Sequence, residues 1–192
     1  MDKIILASIS PRRQMVLEKM GIDFEVIPSD YEEDMTLNLE PSELVKFLSL
    51  GKARTVAAKN PGRVVLGGDT IVVLGNEVIG KPRDIAEAKV MLQKLSGRSH
   101  LVYTGFSLIR DSQEFSDFSQ AKVYFKKLDD KIVDSYLQHS GILDKAGAYA
   151  LQEIGGLLID KMEGDFYAIV GLPIASIVEK LKDFNIDFWA KE

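Results

Sequence analysis

The 192-residue chain contains no cysteine. This absence excludes disulfides, thiolate-bound zinc, iron–sulfur clusters and a cysteine nucleophile together, and nothing in the composition implies an oxidising compartment. Long apolar runs are also missing, since no stretch approaches the roughly 18 consecutive apolar residues of a membrane span. The first apolar run, Ile4–Ala7, is too short for a signal peptide. We therefore expect a cytoplasmic protein that does not enter a membrane.

An excess of positive charge is lacking as well. The chain has 24 Lys and Arg against 29 Asp and Glu, a net charge of −5. Broad binding to duplex nucleic acid or anionic lipid rests on many cationic contacts, so neither partner is expected and any anion site must be local. Apolar residues make up 46% of the chain, with no repeat or linker composition. We predict a single globular domain over residues 1–192.

Three widespread catalytic motifs are absent. The chain has no Gly-rich loop ending in Lys-Ser or Lys-Thr, no Gly-x-Gly-x-x-Gly after a strand and no Gly-x-Ser-x-Gly. P-loop NTPases, Rossmann dehydrogenases and α/β-hydrolases are therefore disfavoured. The two histidines, His100 and His139, are too few and too far apart to suggest a metal site, and we interpret both as structural or exposed.

Hydrophobic periodicity and turn residues predict alternating strands and helices. The pattern favours an α/β fold whose mixed sheet contains antiparallel pairs and is flanked by helices. Helices are predicted at Pro11–Met20, from Pro41 to Asn60, from Asp84 to Leu95, at Asp130–His139 and from Pro173 to Asp183. Strands are predicted at Ile4–Ala7, Phe24–Ile27, Arg63–Leu66, Ile71–Leu74, Glu77–Ile79, Leu101–Ile109, Glu114–Phe125, Ala148–Leu151 and Leu157–Ile159.

The first candidate site follows the first strand. Ser10 and Pro11 are typical of a helix start, and Arg12 and Arg13 then fall in the first turn. A helix N-terminus is already partly positive, so two arginines there suggest that an anion is bound. With the hydroxyls of Ser8 and Ser10, they could form a polyphosphate cradle. The alternative is that both arginines are solvated and Ser10 is only a cap.

The second candidate is Gly67-Gly68-Asp69-Thr70, which we predict as a turn after a buried strand. A carboxylate at the carboxyl end of a strand lies where α/β proteins commonly bind ligands. Asp69 is therefore the first candidate for a general base or metal ligand, although Gly-Gly-Asp is also simply a favourable turn sequence. The arginines would hold phosphates while Asp69 positions a water or a divalent ion at one phosphorus.

Further charged residues fit the same chemistry. Lys52, on the long helix, and Lys81, in Gly80-Lys81-Pro82, could each place a positive charge against a phosphate, although single lysines are usually solvated. Glu32 and Glu33 could complete a Mg²⁺ site with Asp69, because Mg²⁺ typically takes one or two carboxylates together with phosphates. An acidic surface loop is the commoner explanation of that pair.

Taken together, six segments resemble the Maf family of nucleoside triphosphate pyrophosphatases, whose fold is related to that of the inosine triphosphate pyrophosphatases. The resemblance spans nearly the whole chain. It rests on Leu6-Ala7-Ser8-x-Ser10-Pro11-Arg12-Arg13, Gly67-x-Asp69-Thr70, Lys81-Pro82, Leu95-Ser96-Gly97-x-x-His100, Asp144-Lys145-Ala146-Gly147-Ala148-Tyr149 and Val170-Gly171-Leu172-Pro173.

The resemblance implies hydrolysis of a nucleoside triphosphate between its α and β phosphates, with a divalent cation such as Mg²⁺ or Mn²⁺. It implies a strongly twisted sheet with the substrate cleft across it, and a homodimer. Asp69 resembles the proton acceptor and Glu33 the acidic residue near the metal, so that Glu33 and Asp69 are the metal candidates. The residues that resemble the phosphate-binding set are Ser8, Arg12, Arg13, Lys52 and Lys81.

Three positions indicate the substrate branch. Arg12, Thr70 and Gln152 match members that act on dTTP and UTP, whereas members acting on 7-methyl-GTP tend to carry Trp, Gln and Glu there. The amide of Gln152 can both donate to and accept from the imide edge of uracil or thymine. The resemblance therefore implies a dTTP/UTP pyrophosphatase. The alternatives are a 7-methyl-GTP pyrophosphatase, or a nucleotide-binding regulator of septum formation and cell division without relevant turnover.

Overall fold

The computed structural model describes residues 3–32, 37–139 and 141–190. Within these ranges the chain alternates between strands and helices. The strands are β1 (Ile4–Leu6), β2 (Phe24–Val26), β3 (Val65–Leu74), β4 (Glu77–Ile79), β5 (Ser99–Arg110), β6 (Gln113–Phe125) and β7 (Ile159–Gly164). The α-helices are α1 (Pro11–Met20), α2 (Pro41–Ala57), α3 (Ile85–Leu95), α4 (Asp130–Tyr136), α5 (Phe166–Val170) and α6 (Ile174–Leu181).

The strands form one mixed sheet, which confirms the predicted α/β class. The strand order is β2-β1-β3-β5-β6-β7, and β4 pairs with β3 outside this path. β1 pairs in parallel with both β2 and β3, whereas the β3–β4 and β6–β7 pairs are antiparallel. β3 is thus parallel to β1 at its start and antiparallel to β4 at its end.

Local capping signals placed two helices correctly. α1 begins at Pro11 and ends where Gly21 adopts a left-handed φ of 66°, a conformation that glycine adopts without steric cost. Ser10 occupies the N-cap position, but its side chain forms no capping hydrogen bond. At α3, the Asp84 carboxylate accepts a hydrogen bond from the Glu87 amide, as the spacing predicts.

The predicted turn at Gly67-Gly68-Asp69-Thr70 is wrong. These residues continue β3, and Asp69 is the fifth of its ten residues. The two glycines suggested a turn because glycine is common in turns. Glycine inside a strand instead marks a place where another part of the chain approaches the backbone closely, and that is its role here.

The segment around Ala148 was also predicted wrongly. No strand covers Ala148–Leu151; a short 3-10 turn at Ala146–Ala148 precedes further turns. Gly147 and Ala148 have φ values of 70° and 61°, so the backbone is left-handed where a strand would be extended. The last predicted helix is shorter than expected, since α6 spans Ile174–Leu181 and is followed by a 3-10 turn at Lys182–Phe184.

The chain groups into two compact units, each with its own apolar cluster. The first comprises residues 1–69, 104–119 and 171–192, and the second comprises residues 70–103 and 120–170. In the first unit the buried cluster joins β1 and β3 to α2 and the end of β5 through Ile5, Ala7, Ala53, Val56, Val65 and Ile109. In the second unit a larger cluster packs α3 and α4 against β3–β7, and it includes Leu92, Val102, Phe125 and Tyr149.

His100 lies inside the apolar cluster of the second unit. Its Nε2 is 2.7 Å from the hydroxyl oxygen of Tyr149, and its ring packs edge-on against Phe125. Its Nδ1 is buried and has no hydrogen-bond partner among the described residues. Burial lowers the pKa of His100 from 6.5 to about 4, so the ring is neutral at neutral pH. This confirms a structural interpretation of His100.

We expect this histidine to make the protein acid-sensitive. Because the folded pKa lies below the unfolded one, its contribution to stability is fully present above about pH 6.5 and is lost as the pH falls toward 4. The free energy of unfolding should drop by about 2 kcal/mol between pH 7 and pH 5, measured by denaturant titration. His100→Gln should remove that drop, whereas a change of the exposed His139 to Gln should preserve it. An identical pH dependence in all three proteins would contradict this expectation.

Candidate active site

The start of α1 carries an ordered set of polar groups. Arg13 donates from Nη1 to the hydroxyl oxygen of Ser8 at 3.0 Å and from Nε to the carbonyl oxygen of Gly171 at 3.0 Å. The Ser10 amide also donates to the Ser8 hydroxyl oxygen, at 3.2 Å. Ser8 is buried, and Arg12 and Arg13 are half-buried. The Arg13 side chain is therefore held in place rather than spread over the surface.

The pairing of β1 with β3 places this helix start beside Asp69. The two strands pair in parallel up to Leu6 and Leu66, and the Ala7 amide donates to the Leu66 carbonyl oxygen at 2.9 Å. β1 ends there, whereas β3 continues to Leu74. Asp69 thus lies just beyond the carboxyl end of β1, although β3, the strand that carries it, continues past this point. That edge is where ligands commonly bind in α/β sheets.

Asp69 forms an ion pair with Lys52. The Lys52 Nζ lies 2.5 Å from Asp69 Oδ1, and the two side chains are only 14% and 10% exposed. The predicted base and one predicted phosphate ligand are therefore in contact although they are 17 residues apart in the chain. Because the pair is largely removed from water, Asp69 stays beside a positive charge whose position the helix determines.

Glycines let α2 and Arg13 approach β3. A Cβ at position 67 would lie 2.2 Å from the carbonyl oxygen of Ser49, which is on α2. A Cβ at position 68 would lie 3.1 Å from Nε of Arg13. Side chains alternate between the two faces of a strand, so Asp69 shares the α2 face with position 67, and position 68 borders Arg13. The two glycines are therefore close-approach positions.

α2 is also seated on β5 of the same unit. A Cβ at Gly105 would lie 2.2 Å from the Val45 carbonyl oxygen, so the helix backbone rests directly on that strand. The hydroxyl oxygens of Ser49 and Ser107 are 2.8 Å apart and both residues are buried. These contacts fix α2 relative to the sheet, and consequently they fix the position from which Lys52 reaches Asp69.

The first unit thus contains two contacting pairs of predicted site residues, Arg13 with Ser8 and Lys52 with Asp69. Lys52 places positive charge against the buried carboxylate of Asp69, and Arg13, at the start of α1, places more positive charge beside the neighbouring Gly68. Backbone amides and guanidinium groups bind phosphate well, and a carboxylate beside them can accept a proton from water or ligate a cation. The arrangement is suited to hydrolysis of a phosphoanhydride.

The remaining predicted residues of the second unit lie on different segments. Thr70 directly follows Asp69 in β3 and is half-buried. Lys81 is exposed between β4 and α3, and its neighbour Gly80 accepts a hydrogen bond from the Gly147 amide at 3.0 Å. Gln152 lies in a turn before β7, and its Oε1 is buried with no hydrogen-bond partner among the described residues.

Only some of the predicted acidic metal ligands lie within the described residues. Glu33 lies outside the described residues, and its neighbour Glu32 is exposed. Over residues 3–32, 37–139 and 141–190, no three His, Asp or Glu side chains form a cluster that could hold a metal ion. Asp69 is therefore the described carboxylate that remains a metal candidate.

Two features of these units were not found by reasoning from the residues. The Gly171 carbonyl that binds Arg13 is 158 residues away in the chain, and only the Val-Gly-Leu-Pro segment of the resemblance marked that region. In the second unit, Lys145 is 5% exposed and its Nζ lies 3.2 Å from Glu153 Oε2. The resemblance also marked Lys145, but neither contact has a local signal, because each depends on how the chain folds back on itself.

This chain is similar to known proteins over nearly its whole length. A protein of Bacillus cereus (strain ZK / E33L) named dTTP/UTP pyrophosphatase is 45% identical over 187 residues, which cover 97% of this chain and 98% of that protein. A Bacillus anthracis protein of the same name has the same identity and coverage. Solved structures of a Coxiella burnetii HAM1 protein and the Staphylococcus aureus Ham1 protein match 65% of this chain and 73% and 72% of theirs. Both have a TM-score of 0.46, at 18% and 15% identity.

A family model described as Maf-like protein matches residues 3–184. The match includes both the start of α1 and the Lys52–Asp69 pair. Because it spans nearly the whole chain, and because the relatives are 45% identical across it, this protein belongs to the Maf family.

Proposed function

We propose that this protein hydrolyses dTTP and UTP to the nucleoside monophosphate and pyrophosphate. The observation that carries the proposal is the buried ion pair between Lys52 and Asp69 beside the ordered start of α1. Relatives named dTTP/UTP pyrophosphatase, 45% identical over 97% of the chain, support the substrate. A site that contains both phosphate-binding cations and a carboxylate has the groups that hydrolysis requires, whereas pure phosphate binding would not need the carboxylate.

The triphosphate is bound by the positive end of α1. Ser8, Arg12 and Arg13 offer a hydroxyl and two guanidinium groups, and the positive end of the α1 dipole favours an anion there. The bonds from Arg13 to Ser8 and Gly171 orient its guanidinium group before any phosphate arrives. Lys81 adds a further positive charge in this proposal. Fixed cations lower the barrier because negative charge moves onto the departing pyrophosphate.

Asp69 accepts the proton of the attacking water. The water oxygen forms a bond to phosphorus, the bridging P–O bond of the α–β anhydride breaks, and pyrophosphate leaves. Lys52 keeps the Asp69 carboxylate in position through their 2.5 Å contact. When the phosphates bind, the Lys52 ammonium group stabilises negative charge on the phosphate oxygens, as the arginines of α1 do.

The donor set is compatible with a divalent cation such as Mg²⁺ or Mn²⁺. Mg²⁺ is commonly held by one or two carboxylates, with substrate phosphates and water as its other ligands, and the single carboxylate of Asp69 fits that mode. Glu33 would be the second carboxylate in this proposal. When bound, the cation neutralises phosphate charge and polarises the P–O bonds.

In this proposal, the residues that select the base of the nucleotide are Thr70, Gln152 and Arg12. The oxygen of the Gln152 amide is a buried hydrogen-bond acceptor that none of the described residues satisfies. A buried acceptor without a donor is costly, so a ligand that supplies an N–H there is favoured. The imide N3–H of uracil and thymine is such a donor, whereas N3 of cytosine is an acceptor.

A panel of nucleoside triphosphates tests the function. We expect pyrophosphate release with Mg²⁺ or Mn²⁺ to be fastest for dTTP and UTP, measured as kcat/KM for each triphosphate. A preference for 7-methyl-GTP would contradict the proposed substrate. Binding of UTP without turnover under every metal tested would instead favour a regulator of septum formation and cell division.

The proposal also covers the oligomeric state, the location and the partners of the protein. We propose a homodimer in the cytoplasm that acts on free nucleotides and binds no nucleic acid. Within residues 3–32, 37–139 and 141–190, no helix is both long and apolar enough to traverse a lipid bilayer. Light scattering after gel filtration measures the oligomeric state directly, and a monomer at micromolar concentration would contradict the dimer.

A further inference from the structure

Lys145 is a buried lysine in the second unit that has no part in the proposed hydrolysis. It is 5% exposed, and its Nζ donates to the carbonyl oxygen of Gly141. The same Nζ lies 3.1 Å from Asp144 Oδ1 and 3.2 Å from Glu153 Oε2. An ammonium group has three donors, and these three oxygens match them. Glu153 is therefore held through one of its oxygens by a buried positive charge.

The other oxygen of Glu153 faces the proposed base-selecting residue. Glu153 Oε1 accepts a hydrogen bond from Nε2 of Gln152 at 3.5 Å. A carboxylate only accepts hydrogen bonds, so it attracts the NH₂ end of the neighbouring amide and repels its oxygen. The Gln152 oxygen consequently points the other way, and it is this oxygen that is buried with no hydrogen-bond partner in the part of the chain that the structure describes.

The turn that carries both residues is tightly built. The Glu153 amide donates to the Ala150 carbonyl oxygen at 3.3 Å, and the Gly156 amide donates to the Glu153 carbonyl oxygen at 2.9 Å. A Cβ at Gly155 would lie 2.7 Å from the Ala150 carbonyl oxygen, so the two ends of the turn are in direct contact. The backbone that carries Gln152 and Glu153 is therefore fixed by contacts within the turn.

We propose that Lys145 and Glu153 are positioning residues that fix the orientation of the Gln152 amide, and that this orientation sets a preference for uracil over cytosine. The proposal rests on the proposed function of this protein. With its NH₂ held by Glu153, Gln152 presents only an acceptor to the base. Uracil and thymine meet it with N3–H, whereas cytosine meets it with the lone pair of N3, and two facing acceptors repel each other.

The isosteric change Glu153→Gln tests this chain of contacts. Lys145 can only donate, so it takes the carbonyl oxygen of the new amide, and the new NH₂ then faces Gln152. Gln152 must turn its own oxygen toward that NH₂ and its NH₂ toward the base. We expect the ratio of kcat/KM for UTP to kcat/KM for CTP to fall by about tenfold or more, the size of one discriminating base contact. Glu153→Met, which lacks any polar group there, should also lower the ratio.

Two controls separate positioning from a general structural effect. Glu163, whose Oε1 accepts from exposed Lys161 at 2.9 Å, belongs to the same unit, and Glu163→Gln should leave the ratio unchanged. In a Gln152→Ala background, Glu153→Gln should no longer alter the ratio, because the amide through which it acts is gone. The unaltered protein and all variants are compared at equal concentration, after circular dichroism has shown that each is folded.

The outcomes distinguish the inference from the proposed function. An unchanged UTP/CTP ratio in folded Glu153→Gln or Glu153→Met, with UTP hydrolysed by the unaltered protein, would overturn the positioning role alone. A fall that persists in the Gln152→Ala background would overturn it as well. Absence of UTP turnover in the unaltered protein would overturn the proposed function, and with it this inference.

Discussion

Replacement of Asp69 by asparagine is expected to lower kcat for UTP by about 10²- to 10⁴-fold, the usual contribution of a general base. Asparagine has the same shape but cannot accept a proton from water. It also removes the negative partner of Lys52, whose Nζ lies 2.5 Å from the Asp69 carboxylate. Initial rates of pyrophosphate release measure the loss.

Binding should survive this change. The phosphate-binding groups of α1 do not depend on Asp69, because Arg13 is oriented by Ser8 and Gly171. We expect the Kd for a non-hydrolysable UTP analogue, measured by calorimetry, to stay within about threefold, since the change removes a negative charge beside the phosphates. Loss of kcat with retained affinity separates a reaction role from a binding role.

A matched control is available on the surface of the same unit. Asp30 forms an ion pair with Lys59 at 2.7 Å, but these side chains are 66% and 68% exposed. Asp30→Asn alters the same chemical group where it is solvated, and it should leave both kcat and affinity unchanged. Undiminished turnover in Asp69→Asn would refute the assignment of this aspartate as the base.

Replacement of Gly67 by alanine is expected to destabilise the protein by about 3 kcal/mol. The new Cβ would lie 2.2 Å from the Ser49 carbonyl oxygen and 3.0 Å from the Ala53 Cβ, distances that require α2 to move away from β3. Overpacking of this kind typically costs about 1–3 kcal/mol, and here the clash is with backbone that cannot rotate away. Urea denaturation, with the slope compared between variants, measures the loss.

Gly80 provides the control for this prediction. A Cβ there would meet no atom of the described residues within 4 Å, and its φ lies outside the left-handed region. Gly80→Ala should therefore change the free energy of unfolding by no more than about 0.5 kcal/mol. Because Lys52 is carried by α2, folded Gly67→Ala should also lose activity as the helix shifts. Equal unfolding midpoints for the two alanine variants would show that α2 does not rest on β3 at this point.

Much of the candidate site is visible in the local sequence. The helix start at Ser10-Pro11, with two arginines in an already positive first turn, indicated an anion site without any tertiary information. The structure does place the helix there, with Arg13 ordered by Ser8. The six motifs also indicated the Maf family, which the family model confirms over residues 3–184.

Other parts could not be read locally, and the two glycines before Asp69 are the clearest case. Two glycines followed by an aspartate satisfy every local rule for a turn. They are nevertheless strand residues, because a carbonyl oxygen of α2 and the side chain of Arg13 occupy the space of their missing side chains. The reason for a strand glycine lies in another part of the chain, and no window of neighbouring residues contains it.

The sequence by itself determined the α/β class, the start and end of α1, the absence of cysteine chemistry and the residue types of an anion site. These depend on periodicity, capping and composition, which act over a few neighbouring residues. Only the tertiary structure decided that Lys52 pairs with Asp69, that Gly171 accepts from Arg13 and that Glu153 accepts from the Gln152 amide. Hydrogen bonds and ion pairs act over a few ångströms, so which distant groups meet is known only once the helices and strands have packed.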